Sequence, residues 1–261
     1  MPATESPATR LRRLLREAAC VHAPEAADGL TARLAARAGF DALYVSGPGT
    51  SANRLGARGA ALLTATELAD NVGRIFDCCG LPLVADAGDG YGNPINARRT
   101  VRDLEKAGAA GLHLDDGDLP AAEMVAKLRA AADARRDPEL VLIARTRRAE
   151  HAEAYRAAGA DLLLLDGAPG GAAAGLPLAF VVPAGATVPA GCKLVLHTGV
   201  AVLAAIPRIE RVLAELMARG GIGHLRGEMA NFAEFTDVAG MAEIQALEGR
   251  YGVPEEQRTR L

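Results

Sequence analysis

The chain has 261 residues, 29 Lys and Arg against 32 Asp and Glu, and a formal net charge of −3 at pH 7. That length suits one large domain or two small ones with a sizeable core, and the near-neutral balance leaves no basic footprint for nucleic acid or an anionic membrane. No apolar run reaches the ~18 residues of a membrane span, and aromatic residues are only 3% of the chain with Trp absent, which argues against a stacking platform for single-stranded nucleic acid. Residues 1–10 carry Pro, Ser and Thr without an apolar stretch, so they are expected to be a disordered N-terminus rather than a secretory signal. Cys20, Cys78, Cys79 and Cys192 show no Cys-x-x-Cys spacing. They read as reduced thiols of a cytoplasmic protein without structural zinc, with Cys20 and Cys192 taken as core packing.

Short apolar runs alternate with helical patterns from end to end. Strands are expected at 18–22, 42–46, 81–86, 111–115, 140–145, 161–166, 179–183 and 193–197, each continuously apolar and bounded by Gly, Pro or polar residues. That pattern belongs to strands of a parallel sheet buried on both faces. Thr64-x-x-Glu67 forms a capping box that opens a helix toward Phe76, and 96–107, 121–132 and, more weakly, 150–158 carry helical periodicity. An internal repeat supports the alternation. Ala38-Gly39, Ala107-Gly108 and Ala158-Gly159 each end a helix, the Gly capping it, and a strand follows that finishes on Ser46, Asp115 or Asp166.

Eight such units in about 200 residues favour a (β/α)8 barrel over an open doubly wound sheet. No Gly-x-Gly-x-x-Gly follows a first strand and no phosphate-binding loop is present. A single domain over 1–261 is expected, with 170–175 a flexible loop and 221–261 a helical tail whose helix at 232–250 packs on a neighbouring subunit. In such barrels chemistry gathers at the C-terminal ends of the strands, which here supply His22, Ser46, Asp86, Asp115, Arg145, Asp166 and His197. Carboxylates around one mouth invite a divalent cation, and the planar fork of Arg145 suits a substrate carboxylate. His113, in mid-strand, is expected to point into the helix layer, and His151 and His224 to lie at the surface.

Three stretches carry a family resemblance: Gly39-Phe40-Asp41-Ala42-Leu43-Tyr44-Val45-Ser46-Gly47, then 81–93 with Asp86-Ala87-Gly88-Asp89-Gly90-Tyr91-Gly92-Asn93, then 123–146 ending in Ile143-Ala144-Arg145-Thr146. They resemble the isocitrate lyase / phosphoenolpyruvate mutase superfamily over about residues 11–219. The resemblance implies a (β/α)8 barrel, a homo-oligomer with exchanged C-terminal helices, and Mg²⁺-assisted (or Mn²⁺-assisted) cleavage or formation of a C–C or P–C bond through a pyruvate-like enolate. Carried over residue by residue, it makes Asp86 the principal metal contact and Asp115 a contact of the metal's water shell. Asp89, at the Thr position of the signature, is a third metal candidate because the second signature Asp is Gly88 here. Arg145 holds the substrate carboxylate, Ser46 and Gly47 form the substrate-binding turn, and Tyr44 and Asp166 join the substrate-binding set.

The departures fall on the catalytic rim. Pro48 removes an amide donor worth roughly 3–4 kcal/mol to an oxyanion elsewhere. Gly59 stands where the family has an Asp, and the long gating loop after the fourth strand shrinks to Asp116-Gly117-Asp118-Leu119-Pro120. Three readings follow. The first is a lyase or decarboxylase that acts on a small 2-oxo or carboxylate substrate, with Asp86, Asp115, Arg145 and His197 as catalytic residues. The second is a metal-independent enzyme of another class using strand-end Asp and His197 as acid and base. The third is a non-catalytic barrel.

Overall fold

The computed structural model describes residues 5–59, 62–166 and 174–252. Two compact units result, Met1–Ala205 and Ile206–Leu261. The loop expected at 170–175 falls largely outside the described residues.

The first unit alternates strands and helices: α1 (Pro7–Glu17), β1 (Val21–Pro24), α2 (Gly29–Arg37), β2 (Leu43–Val45), α3 (Gly47–Leu55), α4 (Ala65–Cys79), β3 (Leu83–Asp86), α5 (Pro94–Lys106), β4 (Ala109–Asp115), α6 (Ala121–Ala132), β5 (Val141–Thr146), α7 (Ala152–Ala157), β6 (Leu162–Leu165), β7 (Leu178–Pro183) and β8 (Leu194–Thr198). All eight strands are parallel, in the order β1-β8-β7-β6-β5-β4-β3-β2. One bridge, Glu25 to Tyr44, joins the two ends of that row. The sheet is therefore a nearly closed (β/α)8 barrel, as the alternating pattern implies.

Local chemistry sets the element ends. The expected capping box at Thr64 and Glu67 opens α4, and Asp28 with Thr31 and Asn93 with Asn96 do the same for α2 and α5. In all three repeats the glycine lies in the left-handed region: φ is +90° at Gly39, +101° at Gly108 and +102° at Gly159. At Gly108 an added Cβ would also meet the Phe76 ring at 2.5 Å, so only Gly satisfies both backbone and packing there.

Alternation along each strand divides the core in two. Val21, Ala23, Tyr44, Val84, Val141, Ile143, Leu162, Leu164, Leu194 and Leu196 fill the barrel interior. Leu43, Val45, Leu112, Leu114, Leu142, Leu163 and Val195 pack outward against the helices.

Two expectations change, and one helix is added to them. The N-terminus is ordered from residue 7: Ser6 caps α1 and also donates to Asp137 at 2.6 Å, while Leu11 closes the bottom of the inner core. The first strand begins three residues later than expected, because 18–20 form the turn out of α1, and it continues through Pro24. His22 is thus its second residue, and Glu25 directly follows the strand. Finally, a helix, α3, starts directly after Ser46, with Pro48 in its first turn, where proline's missing N–H costs nothing.

The second unit begins at Ile206, within α8 (Val200–Arg219), and continues through a short 3₁₀ turn to α9 (Phe232–Val238) and α10 (Met241–Tyr251). Glu228 pairs with both Arg208 and Arg211 inside it. Its helices leave Ile209, Leu213, Phe235, Ile244 and Leu247 exposed.

Candidate active site

The interior-facing residues at the C-terminal ends of β2 to β6 converge on one polar group. Asp86 ends β3 and is 5% exposed. Its Oδ1 accepts from the Gly88 amide at 3.0 Å and its Oδ2 from the Gly47 amide at 3.3 Å. On the next strand, His113 is paired in register with Asp86, and its Nε2 lies 3.6 Å from Oδ1. The same nitrogen is 3.0 Å from the Tyr44 hydroxyl. Burial pushes the His113 pKa down, so the ring is neutral. Burial, reinforced by Asp86, holds the Tyr44 hydroxyl protonated far beyond the usual tyrosine range.

One step toward the mouth, Arg145 takes over. Its Nε donates to both Asp166 oxygens at 3.1 and 3.0 Å, its Nη2 lies 3.0 Å from Oδ2, and its Nη1 is 3.5 Å from Asp115. Burial opposes the guanidinium charge, but the Asp166 hydrogen bond and the two carboxylates outweigh it and raise the pKa. Asp115 is oriented by the Gly117 amide at 2.9 Å, and its own amide donates to Gly88 O at 2.7 Å, which couples its strand to the signature loop. Tyr44, Gly47, Asp86, Asp115, Arg145 and Asp166 therefore lie together at the C-terminal ends of the strands.

The other candidates are placed differently. The Ser46 hydroxyl caps α3, accepting from the Gly49 amide at 2.8 Å while it donates to Glu25. Its side chain is thus committed to the turn that presents the Gly47 amide. Asp89 does not join Asp86 and Asp115. Its carboxylate accepts from the Tyr91 amide at 2.9 Å, and the buried Lys127 donates to its carbonyl at 2.9 Å and lies 3.4 Å from Oδ2. His197 faces outward, two residues beyond outward-packed Val195, and stacks on His22 with Nε2 2.9 Å from the His22 Nδ1. Burial and His22 lower its pKa.

Four structural residues escaped the reading of the sequence. His113 was expected in the helix layer, yet it faces inward, on the same side of β4 as Asp115; the two-residue period of a strand carries that signal. Glu25, 6% exposed, accepts from Ser46 and from the Gly199 amide, which ties the ends of β1, β2 and β8 together. Lys127 holds the signature loop from α6. Asp116, 1% exposed, accepts from Thr146 at 2.6 Å, Tyr155 at 2.7 Å and Arg148 at 3.0 Å, and so anchors the loop that follows Arg145.

A divalent cation can be tested against this donor set. Among the described residues no group of three or more His, Cys, Asp or Glu converges as a metal site. Mg²⁺ nevertheless binds through one or two carboxylates, with water and substrate completing its shell, and Asp86 with Asp115 fits that requirement.

Eight parallel strands with a carboxylate and guanidinium cluster at their C-terminal ends define a (β/α)8-barrel enzyme. The sequence profile for phosphoenolpyruvate phosphomutase matches residues 11–205, and the chain belongs to that family, within the isocitrate lyase / phosphoenolpyruvate mutase superfamily. The chain is 31% identical to 2,3-dimethylmalate lyase of Eubacterium barkeri over 282 aligned positions, covering 94% of this chain and 98% of that enzyme. It is 42% identical to oxaloacetate decarboxylase of Rhodopseudomonas palustris over 178 residues, 60% of this chain and 62% of the other. The crystal structure of phosphonopyruvate hydrolase in complex with oxalate and Mg²⁺ superposes with a TM-score of 0.85 at 25% identity, covering 94% and 99% of the two chains.

Proposed function

We propose that the chain is a carbon–carbon lyase, most simply a decarboxylase, that acts on a small 2-oxo or 2-hydroxy carboxylate. The observation that carries this is the placement of Asp86, Asp115, Arg145 and Asp166 at one barrel mouth in a family whose relatives are named as lyases and decarboxylases.

Arg145 is the carboxylate clamp. Its donors are already turned toward the mouth and held by Asp166 and Asp115, so an incoming carboxylate exchanges one anionic partner for another without reorienting the fork. The Gly47 amide, which donates to Asp86 Oδ2 at 3.3 Å, would exchange that long bond for a developing oxyanion, and Pro48 has no N–H to add beside it. Asp86 and Asp115 would hold a Mg²⁺ ion, which supplies charge stabilisation to the developing enolate. The Tyr44 hydroxyl, kept protonated on His113, forms the polar floor of the site.

Only five residues, 116–120, separate β4 from α6, so no long segment that would exclude water follows β4. Decarboxylation tolerates this. When the C–C bond breaks its electron pair passes into the enolate, which must then be protonated, and an open mouth delivers that proton. A phosphoryl-transferring mutase would lose its intermediate the same way. The exposed apolar faces of α9 and α10 support a homo-oligomer in which a second copy covers them. No helix among the described residues is long and apolar enough to cross a membrane.

The test is calorimetric titration with Mg²⁺ or Mn²⁺ and then oxalate, which mimics a pyruvate enolate, with Asp86→Ala alongside. Metal-dependent oxalate binding that disappears in the variant, followed by turnover of oxaloacetate or an alkylmalate, is the expected result. Absence of both metal and oxalate binding overturns the proposal.

A further inference from the structure

At the end of the barrel opposite the active site, two of the four cysteines meet. Cys20 sits in the turn before β1 and Cys192 just before β8, with their sulfurs 3.6 Å apart although 172 residues separate them in the chain. Cys192 is buried, and its Sγ points at the Pro189 carbonyl at 3.1 Å. Cys20 is partly exposed and lines a cleft of about 300 Å³ with Leu14, Ala18, His22, Phe40 and Asp41. One thiol of the pair is therefore accessible and the other waits behind it.

The location matters because of how β1 is attached. On its β2 side it has a single bridge; its only ladder is with β8, over four residue pairs from Val21–Leu194 to Pro24–His197. At the catalytic end that seam is tied by Glu25 accepting from the Gly199 amide. At the other end the Val21 amide donates to the Lys193 carbonyl at 2.9 Å and Lys193 Nζ to the Ala18 carbonyl at 2.5 Å. The thiol pair lies beside them.

We propose that Cys20 and Cys192 form a thiol–disulfide site that small disulfides oxidise, closing a covalent staple across the β1–β8 seam. The Cys20 thiolate attacks one sulfur of the reagent, forms a mixed disulfide and expels one thiol. Cys192 then attacks the Cys20 sulfur and expels the second. Two protein thiols become one disulfide, the reagent's disulfide becomes two thiols, and the two protein protons end on those thiols. Bridging requires the sulfurs to close from 3.6 Å to ~2.0 Å.

The site is slow rather than hair-triggered. Burial, with Cys192 alongside, pushes the Cys20 thiol up to about 11. Its thiolate fraction at pH 7 is then about one in ten thousand, and it rises roughly tenfold per pH unit up to that value. Oxidation is expected to run about a hundredfold faster at pH 9 than at pH 7.

The experiment is incubation of the intact folded chain with oxidised glutathione at pH 7 and pH 9, followed by alkylation and peptide mass mapping without reductant. The expected product is a Cys20–Cys192 cross-linked peptide, formed faster at the higher pH. It should be absent from Cys20→Ser and Cys192→Ala and retained in Cys78→Ser and Cys79→Ser. The oxidised wild-type chain should melt several degrees above the reduced chain, with no such rise in Cys20→Ser. Persistent glutathione on Cys20 with Cys192 still free, a cross-link formed only in denaturant, or a bond to Cys78 or Cys79 would each overturn the proposal.

Discussion

Replacing Glu25 tests whether one buried carboxylate organises the active-site end of the barrel. Its two oxygens accept from the Ser46 hydroxyl and the Gly199 amide, and a Cβ on Gly49 would collide with it, so the pocket is built around the carboxylate. Hydrogen bonds to a charged acceptor contribute about 1.5–3 kcal/mol each, and a donor left buried without a partner costs about 1–3 kcal/mol. Glu25→Ala should therefore destabilise the chain by roughly 3–5 kcal/mol. Glu25→Gln keeps the shape and one acceptor oxygen but sets an NH₂ against one of the donors, so about half that loss is expected. At ~2–4 °C per kcal/mol for a domain of this size, the melting temperature should fall by about 6–20 °C for Ala and about 3–10 °C for Gln. Urea unfolding and thermal melts read both. Because the Ser46 cap presents the Gly47 amide, oxalate affinity should weaken in the same order. A loss under 1 kcal/mol for Ala, or Gln proving worse than Ala, would refute the reasoning.

Three further outcomes follow. Lys127→Met should cost about 1–2 kcal/mol in urea unfolding and speed amide exchange at Gly88 and Tyr91, since the ammonium holds the Asp89 carbonyl and that loop carries Tyr91 at φ +60°; unchanged exchange would count against it. Gly108→Ala should lower the melting temperature by more than a surface Gly→Ala change such as Gly221→Ala, because it meets both a left-handed backbone and the Phe76 ring. For pH, burial lowers the folded pKa of His113, so the unfolded chain binds its proton more tightly. The stability His113 contributes is complete above the unfolded value near 6.5 and falls as pH drops below it. Melts between pH 7.5 and 5 should show a steeper acid decline in the wild type than in His113→Gln, and identical slopes would contradict this.

The barrel was legible because its signals are local and repeated. Apolar runs of four to six residues, the Thr64–Glu67 capping box and three Ala-Gly helix ends each reappear at their expected places. Asp86, Asp115, Arg145 and Asp166 were legible as strand ends, since parity and termination both point them into the mouth. What failed depended on register or on distant partners. A first strand placed three residues early put His22 at a strand end and hid Glu25. Asp89 stands beside the right residues in sequence, but Lys127, 38 positions away, claims its loop. His197 lies at a strand end with outward parity. Ordered residues 7–10 depend on Asp137 and on the inner core beneath Leu11, which a local reading cannot supply.

The seam between the first and last strands also sets an order of assembly during synthesis. β1 and β8 pair across Val21 and Leu194, so the ladder partner of the earliest strand is the last to leave the ribosome. At ~5–20 residues per second the gap amounts to roughly 10–35 s. Over that interval β2 to β7 can build neighbour upon neighbour, since every ladder among them joins strands consecutive in the chain. β1 meanwhile has only the Glu25–Tyr44 bridge, and β7 presents an unpaired edge. A nascent chain stopped short of residue 194 is a sheet with two raw edges. The barrel can close only once β8 is available to fill the space between them.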